Sequence, residues 1–451
     1  MKPRKQRKAA SPSGKNARRN SATSGSADLT SRHRRNRVKG MDNSILQGVR
    51  VLDLTQYYLG PHTTLLLAGL GAEVIRVDNP ETGDTLSGSA IFLGRDGPSL
   101  ERRDEDDIGI PLLKRGRGKK AITLNLKADE GQRLFLELVD KADVVVENFS
   151  VGVAARLGID FETLHARNPK LVYASLTGYG QTGPDAGLKC FDPAAQAVSG
   201  LMAITGHPDG PPTKAGSGLA DSITSVYAFS GILAALFHAE RTGQGQHVDV
   251  AMVDSVFSLV YDEPLECYAE LGLSDRQGNR VSRVSPFNAY RSADGWLIIG
   301  LVSDAHWRLL CSVIEQPELA DDSDFATASA RLINNTRVDE ILSAWTADRG
   351  TEQAVGAVQA AGLVGAAVNN IAAIRKSPQF KARGMIEDVV HPTLGVVPGV
   401  GAAGFPIKFS VSKTGYDTPA VLPGSHNAEI YGSLLDLDEA ELARLTEAGV
   451  I

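Results

Sequence analysis

The sequence predicts an α/β protein, a large domain on a parallel sheet joined to a smaller α+β domain. Short, almost wholly apolar strands alternate with helical segments between residues 49 and 260. Strands without polar alternation belong in a sheet covered on both faces, which is the habit of parallel sheets. Past about residue 270 the pattern changes to short strands mixed with helices. At 451 residues the chain is also longer than one core usually organises.

Val49–Leu54 (VRVLDL) reads as a buried strand. Gly60-Pro61 opens a helix with Pro in its first turn, and Gly69-Leu70-Gly71 ends it before the strand Ala72–Val77. This is a βαβ unit. Ala121–Leu126 is a strand, Ala128–Val139 an amphipathic helix and Val144–Glu147 a strand. Phe161–Arg167 is a short helix, and Leu171–Leu176 is the next strand. Thr177–Pro184 (TGYGQTGP) must be a loop, with three Gly and a Pro in eight residues. Helices Pro193–Ala203 and Ser222–Ala239, the strand His247–Ala251 and a helix from Asp254 complete the large unit. The smaller unit has a strand at Trp296–Leu301 and helices at Ala305–Ile314, Val338–Trp345 and Glu352–Gln359. Ala440–Ala448 has a helical apolar period and is expected to pack back on the large domain. The expected organisation is a basic leader at 1–40, a large domain at 41–269, a small domain at 270–385 and a returning segment at 386–451.

Charge separates the leader from the rest. Thirteen Lys/Arg against the single acid Asp28 give residues 1–40 a charge of +12, which leaves −18 on residues 41–451 of the total −6. An acidic body does not suit a nucleic-acid surface. The leader has too few large apolar residues to bury and is expected to be disordered. Three readings of it stay open: a transit-like peptide, a nucleic-acid tail, or a start placed upstream of the true one at Met41. A cytoplasmic location is expected, or a mitochondrial one if the leader is a transit peptide. The longest apolar stretch, Val226–Phe237, carries Ser and Gly and is shorter than a membrane span, so no membrane partner is expected. Cys190, Cys267 and Cys311 are far apart, suit a reducing compartment and offer no metal site.

The first βαβ unit is Rossmann-like and ends in Asp78, where a dinucleotide fold keeps its ribose-binding acid. Its turn, however, reads TQYYLGP from Thr55 to Pro61, and Gly69-x-Gly71 follows the helix instead of preceding it. Without close-approach glycines the backbone cannot cradle a pyrophosphate. The fold survives this test and a bound NAD does not. Two acids stand at predicted helix starts. Asp221 lies in GSGLADS and Asp192 precedes Pro193. An N-cap is the ordinary role of such an acid. A carboxylate there, beside flexible glycine backbone, can also attack a thioester carbonyl.

An ordered series of segments carries a resemblance to the family III (CaiB/BaiF type) CoA-transferases over residues 45–451. The segments are LQGVRVLDLT, LGPHTTLLLAGLGAEVIRVD, RGKKAITLNLK, ADVVVENFSVGVAARLGID, NPKLVYASLTGYGQTGP, SGLADS, TGQGQHVDVAMVDS and the C-terminal LPGSHNAEIYGSLLDLDEAELARLTEAGVI. The resemblance implies an interlocked homodimer, no permanently bound cofactor, and substrates consisting of an acyl-CoA thioester and an acceptor carboxylic acid. It makes Asp221 the nucleophile, forming an aspartyl mixed anhydride, and Asp192 a second active-site acid. It assigns Leu124 and Lys127 to the adenine end of CoA and Asn148, Phe149 and Arg156 to its pantetheine and phosphates. Lys189 falls on a basic position of the substrate loop, which favours an acyl group with a second carboxylate such as succinyl. Tyr58 stands where some members have Gln, and Asn79 where some have Arg. No Gly-rich run occurs between 270 and 300, which counts against formyl and oxalate substrates. The related 2-methylacyl-CoA racemases have a His before the Asp matching Asp192. Here that position is Phe191, which cannot act as a base. A non-catalytic acyl-CoA-binding paralogue is the remaining alternative. The long connections near 260–290 and 385–410 are where one chain of a dimer would thread through the other.

Overall fold

The computed structural model describes residues 43–451, so the expectations for the leader lie outside the described residues. Six strands form a wholly parallel sheet: β1 Arg50–Asp53, β2 Glu73–Asp78, β3 Lys119–Thr123, β4 Val144–Glu147, β5 Val172–Thr177 and β6 His247–Ala251. Their order is β3-β2-β1-β4-β5-β6. This is the doubly wound arrangement, and its strand order reverses between β1 and β4.

Alternate residues of the strands feed two cores. Val51, Val74, Val144, Val146 and Ala174 pack on one face with helices α1 (Leu59–Gly69) and α6 (Leu219–Thr242). Leu52, Ile75, Ile122, Val145 and Tyr173 pack on the other with α3 (Asp129–Val139) and α4 (Phe161–Arg167). The period of two puts neighbours such as Leu52 and Val51 on opposite sides, and both sides are apolar because both are covered.

The tail lies on this second face. Helices α11 (Asn427–Leu435) and α12 (Glu439–Glu447) bury Tyr431 and Leu445 in the same core. The Tyr431 hydroxyl donates to the Thr123 carbonyl at 2.7 Å, and Thr123 N–H donates to Asn427 Oδ1 at 2.9 Å. These bonds cover β3, the edge strand, which would otherwise present open backbone groups.

A separate core at residues 290–363 surrounds the antiparallel sheet β7 (Phe287–Arg291), β8 (Trp296–Gly300) and β9 (Val364–Ala367). Trp307 on α8 (Asp304–Val313) and Leu342 on α9 (Asn335–Ala347) fill it, together with Val358 on α10 (Thr351–Ala360).

Several elements differ from the sequence-based expectation. Strand β3 begins two residues early, at Lys119, whose ammonium is fully buried. It donates to Asp53 Oδ2 at 3.0 Å, Thr64 Oγ1 at 2.7 Å and the Pro61 carbonyl at 2.9 Å. A buried lysine is tolerated only because each of its donors is satisfied. The helix expected at 193–203 is broken. Helix α5 (Asp192–Val198) stops before Gly200, whose φ of +89° starts the separate turn Leu201–Ile204. The stretch expected as a connection near 385–410 is largely a hairpin, β10 (Ile386–His391) with β11 (Gly395–Ala403). It packs on Leu86, Leu93 and Leu112, and Arg117 ties it down through Glu387 and the Ala403 carbonyl. Helix α6 spans 24 residues and is long and apolar enough to cross a bilayer. Its Ala220, Ala228, Ile232 and Ala235 side is nevertheless packed into the core of the sheet.

Candidate active site

The reversal of strand order forces the loops after β1 and β4 to diverge, and the crevice between them is where such sheets bind ligands. A cavity of about 400 Å³ lies there. Its walls are Gln56–Leu59 after β1, Asn148–Val151 after β4, Leu176–Gly178 at the end of β5, the segment 186–191, Asp221 and Met252.

Asn148 stitches the crevice together. Its Oδ1 accepts from Gln56 N–H at 2.9 Å and its Nδ2 donates to the Gln56 carbonyl at 2.8 Å. The next residue, Tyr57, has φ +65°, a left-handed conformation that a bulky side chain rarely adopts. Its N–H is held by Thr85 Oγ1 at 3.1 Å. Such strain persists only where neighbours over-determine it, and it gathers at functional sites. Gly60 follows because α1 comes so close to β1 that a Cβ there would collide with Thr55.

Asp221 is not an N-cap, and neither is Asp192 at its own helix. Helix α6 starts at Leu219 behind Gly218, so Asp221 sits inside the first turn. Helix α5 starts at Asp192 itself, behind Phe191. The missing cap of α6 comes from the other acid, since Asp221 N–H donates to Asp192 Oδ2 at 3.2 Å. Asp192 is 8 % exposed, and its Oδ1 accepts from Gln196 Nε2 at 2.6 Å. Gln196 in turn accepts from Ala215 N–H at 2.9 Å, which fixes the glycine loop. Asp192 is therefore spent on holding the backbone.

The Asp221 carboxylate faces the cavity and has no hydrogen-bond partner among the described residues. Burial and the neighbouring Asp192 push its pKa up from the ordinary 3.8 to about 7, against a smaller opposing pull from Arg115. Tyr58 flanks it. The Tyr58 hydroxyl lies 3.1 Å from Ser222 Oγ. A Cβ built on Gly218 would lie 3.5 Å from Asp221 Oδ2, 3.6 Å from Asp192 Oδ2 and 3.8 Å from the Tyr58 ring.

The cavity brings together Asp221, Asn148, Phe149 and Lys189, with Asp192 directly behind Asp221. Lys189 Nζ donates to Ser150 Oγ at 2.7 Å. Arg156 is exposed on the short helix Val153–Arg156, whose Val153 lines the cavity. Leu124 and Lys127 do not reach it. Leu124 is buried in the core beyond β3, and Lys127 is exposed after it. Asn79 is occupied by its own turn, accepting from Glu81 N–H at 2.8 Å and Thr82 N–H at 3.0 Å. Tyr57, Tyr58, Thr177, Gly178 and 189–191 line the cavity, while the rest of the loop Thr177–Pro184, from 179 on, does not. Gln196 and Arg115 escaped the sequence reading. Gln196 had a local signal, standing four residues after Asp192 on one helix face. Arg115 had none beyond the basic run KRGRGKK.

The description "CoA-transferase family III" belongs to the family model that matches residues 46–427. A succinyl-CoA:mesaconate CoA-transferase of Haloarcula hispanica is 39% identical over 400 residues, 88% of this chain and 96% of that protein. A succinate–glutarate CoA-transferase of Agrobacterium fabrum is 36% identical over 390 residues, 86% of this chain and 95% of that one. The crystal structure of a CaiB/BaiF family protein from Brucella suis superposes with a TM-score of 0.75 at 33% identity, covering 87% of this chain and all of that one.

The raised pKa has a consequence for stability. The folded chain holds the Asp221 proton more tightly than the unfolded chain, so this group's contribution falls as pH rises from about 4 to about 7. Asp221→Asn is expected to be more stable than the natural chain at pH 8 by about 2 kcal/mol after allowing for partial exposure, with the gain gone near pH 4. Urea melts at the two pH values measure it.

Proposed function

The chain belongs to CoA-transferase family III, and on that premise we propose that it moves CoA from a succinyl-type thioester to a second dicarboxylic acid through an anhydride on Asp221. The chain is a CoA-transferase; the dicarboxylate class and the covalent route are our reading. One observation carries it: the only carboxylate lining the described cavity is that of Asp221, poised without a hydrogen-bond partner at the switch point of the sheet.

In this reading the ionised Asp221 attacks the thioester carbonyl, the C–S bond breaks and CoA leaves as thiolate. The acceptor carboxylate attacks Cγ of Asp221 and expels the donor acid, leaving the acceptor as the acyl half of a new anhydride. Thiolate then attacks that acyl carbon and frees Asp221. No proton changes hands overall. A pKa near neutrality suits this cycle, because the carboxylate must act as a nucleophile and then as a leaving group. Retaining anhydride and thiolate together in the crevice makes each step effectively unimolecular.

Asn148 acts here by holding the Gln56–Tyr58 loop, while Phe149 and Lys189 form the wall along the pantetheine arm, with Arg156 at its rim. Leu124 and Lys127 stand beyond β3, two strand spacings or about 10 Å from β1. That offset matches the nucleotide end of a long, extended CoA. The isomerase alternative lacks the histidine of its His–Asp pair. No histidine is among the residues lining the cavity, Phe191 stands on its wall, and burial together with Arg115 and Lys119 pushes nearby His62 down to about 4.

We also assign an interlocked homodimer. Val226, Tyr227 and Phe237 of α6 and Phe257, Leu259 and Tyr261 on and after α7 (Met252–Val260) are exposed in the single chain. An apolar surface of this kind is ordinarily covered. Sedimentation is expected to give twice the 47.9 kDa chain mass, and a stable monomer would overturn the assignment.

Brief exposure to succinyl-CoA followed by hydroxylamine is expected to leave a hydroxamate on Asp221, seen by intact mass and peptide mapping. The adduct is absent from Asp221→Ala, and its rate of formation rises with pH to a plateau above about 7. CoA binding without any adduct would point to the non-catalytic paralogue.

A further inference from the structure

Beside Asp221 stands a cation that has no counter-ion. Arg115 ends helix α2 (Ile110–Arg115) and is partly buried. Its Nε is shut off from solvent without a hydrogen-bond partner, and the guanidinium makes no ion pair among the described residues. Most of the neighbouring cations have counter-ions, although Lys114 likewise makes no ion pair among the described residues. Arg76 is paired with Asp78, Arg117 with Glu387 and Lys119 with Asp53. A guanidinium taken out of water and left unpaired is costly, and burial indeed pushes the Arg115 pKa down. A buried, unsatisfied Nε beside the site gives Arg115 a donor that an anion can accept from.

Its place in the fold says which anion. The Arg115 guanidinium carbon lies 4.4 Å from the centre of the Tyr58 ring. That contact is a cation–π platform, and the ring is fixed at its far end by Ser222, the residue after Asp221. The same ring and the Asp221 carboxylate converge on the space beside Gly218. Arg115 is also close enough to Asp221 for its charge to act on that group. The one cation lining the cavity, Lys189, is tied instead to Ser150, on the loop assigned above to the CoA arm.

We propose that Arg115, steadied on the face of Tyr58, binds the distal carboxylate of a dicarboxylic acyl group carried on Asp221 and so selects dicarboxylates over monocarboxylates. The inference rests on the reading that Asp221 carries the acyl group. An extended succinyl chain sets its free carboxyl carbon about 4 Å from the acyl carbon, given three bonds of about 1.5 Å joined at tetrahedral angles. That reach suits a guanidinium standing one aromatic ring away from the nucleophile. Guanidinium and carboxylate match as a two-bond fork, a geometry that an ammonium cannot reproduce. The proposal also accounts for Tyr58, the position where some relatives of this chain have Gln. A flat ring is what a guanidinium can rest on.

The test compares succinyl-CoA with butyryl-CoA, which has the same four-carbon chain with a methyl in place of the carboxylate. Asp221 hydroxamate formation in a single turnover is measured with both donors in the natural protein, Arg115→Gln and Arg115→Lys. With the pH set well above the Asp221 midpoint, so that its carboxylate is ionised in every variant, Arg115→Gln is expected to lower the succinyl-CoA rate by about 100-fold or more while changing the butyryl-CoA rate by less than about 3-fold. Arg115→Lys keeps the charge and loses the fork, so a drop of about 10-fold is expected for succinyl-CoA alone. Equal losses with both donors in either variant would mean that Arg115 only supports Tyr58, and would overturn the proposal. So would an unchanged preference for succinyl-CoA. If Arg115→Gln does not fold, Arg115→Lys decides by the same comparison. Failure of the underlying reading looks different, because then the natural protein gives no hydroxamate with either donor.

Discussion

The site depends on one hydrogen bond between two acids' residues, from the backbone N–H of Asp221 to the carboxylate of Asp192. Helix α6 begins behind a glycine and so has no side chain of its own to satisfy its first turn. Borrowing a carboxylate from α5 solves that problem and creates another, since it brings a negative charge against Asp221. The charge of Asp192 adds to burial in holding the Asp221 proton. The same contact thus fixes the nucleophile's backbone and tunes its acidity. Gln196 closes the arrangement by gripping both Asp192 and the loop before α6.

The sheet supplies the place for this pair. Reversal of strand order between β1 and β4 opens the crevice, and Asn148 spans it with two hydrogen bonds to the backbone of one residue, Gln56. The strained turn at Tyr57 then aims Tyr58 along the cavity towards Ser222. Beneath the turn, Asp53 is consumed by Lys119, Thr55 and Thr64. That network leaves no free charge from β1 near the cavity. The charges acting on Asp221 are consequently few: Asp192 behind it and the unpaired Arg115 to one side.

Much of the fold was legible in the sequence because the strands of the large sheet are mostly apolar and glycine closes helices such as α1 and α6. The six strands of the sheet were recognisable from local pattern alone. Lys119 shows where pattern fails, since a lysine reads as solvent and only the distant Asp53 and Thr64 make it a core residue. The capping roles failed for a related reason. Asp192 and Asp221 each read as the cap of its own helix, whereas the cap actually runs from one helix to another, between residues 29 apart in sequence. The hairpin at 386–403 was missed because its second strand is glycine-rich and alternates weakly. Asn148 and Lys189 were reached through resemblance, and their partners Gln56 and Ser150 could not be, since hydrogen bonds between distant loops leave no periodic trace. Arg115 was hidden in a basic run whose members meet quite different fates in the folded chain.

The central claim is that Asp192 holds Asp221 in a position where its carboxylate titrates near neutrality. The most direct measurement is an infrared titration of the Asp221 carboxyl stretch, identified by difference against Asp221→Asn, in the natural chain and in Asp192→Asn. The account predicts a midpoint at about 7 in the natural chain and a clearly lower one once the neighbouring charge is removed. Burial keeps that second midpoint above the ordinary carboxylate value. A natural midpoint near 3.8, or one that does not move in Asp192→Asn, would contradict it.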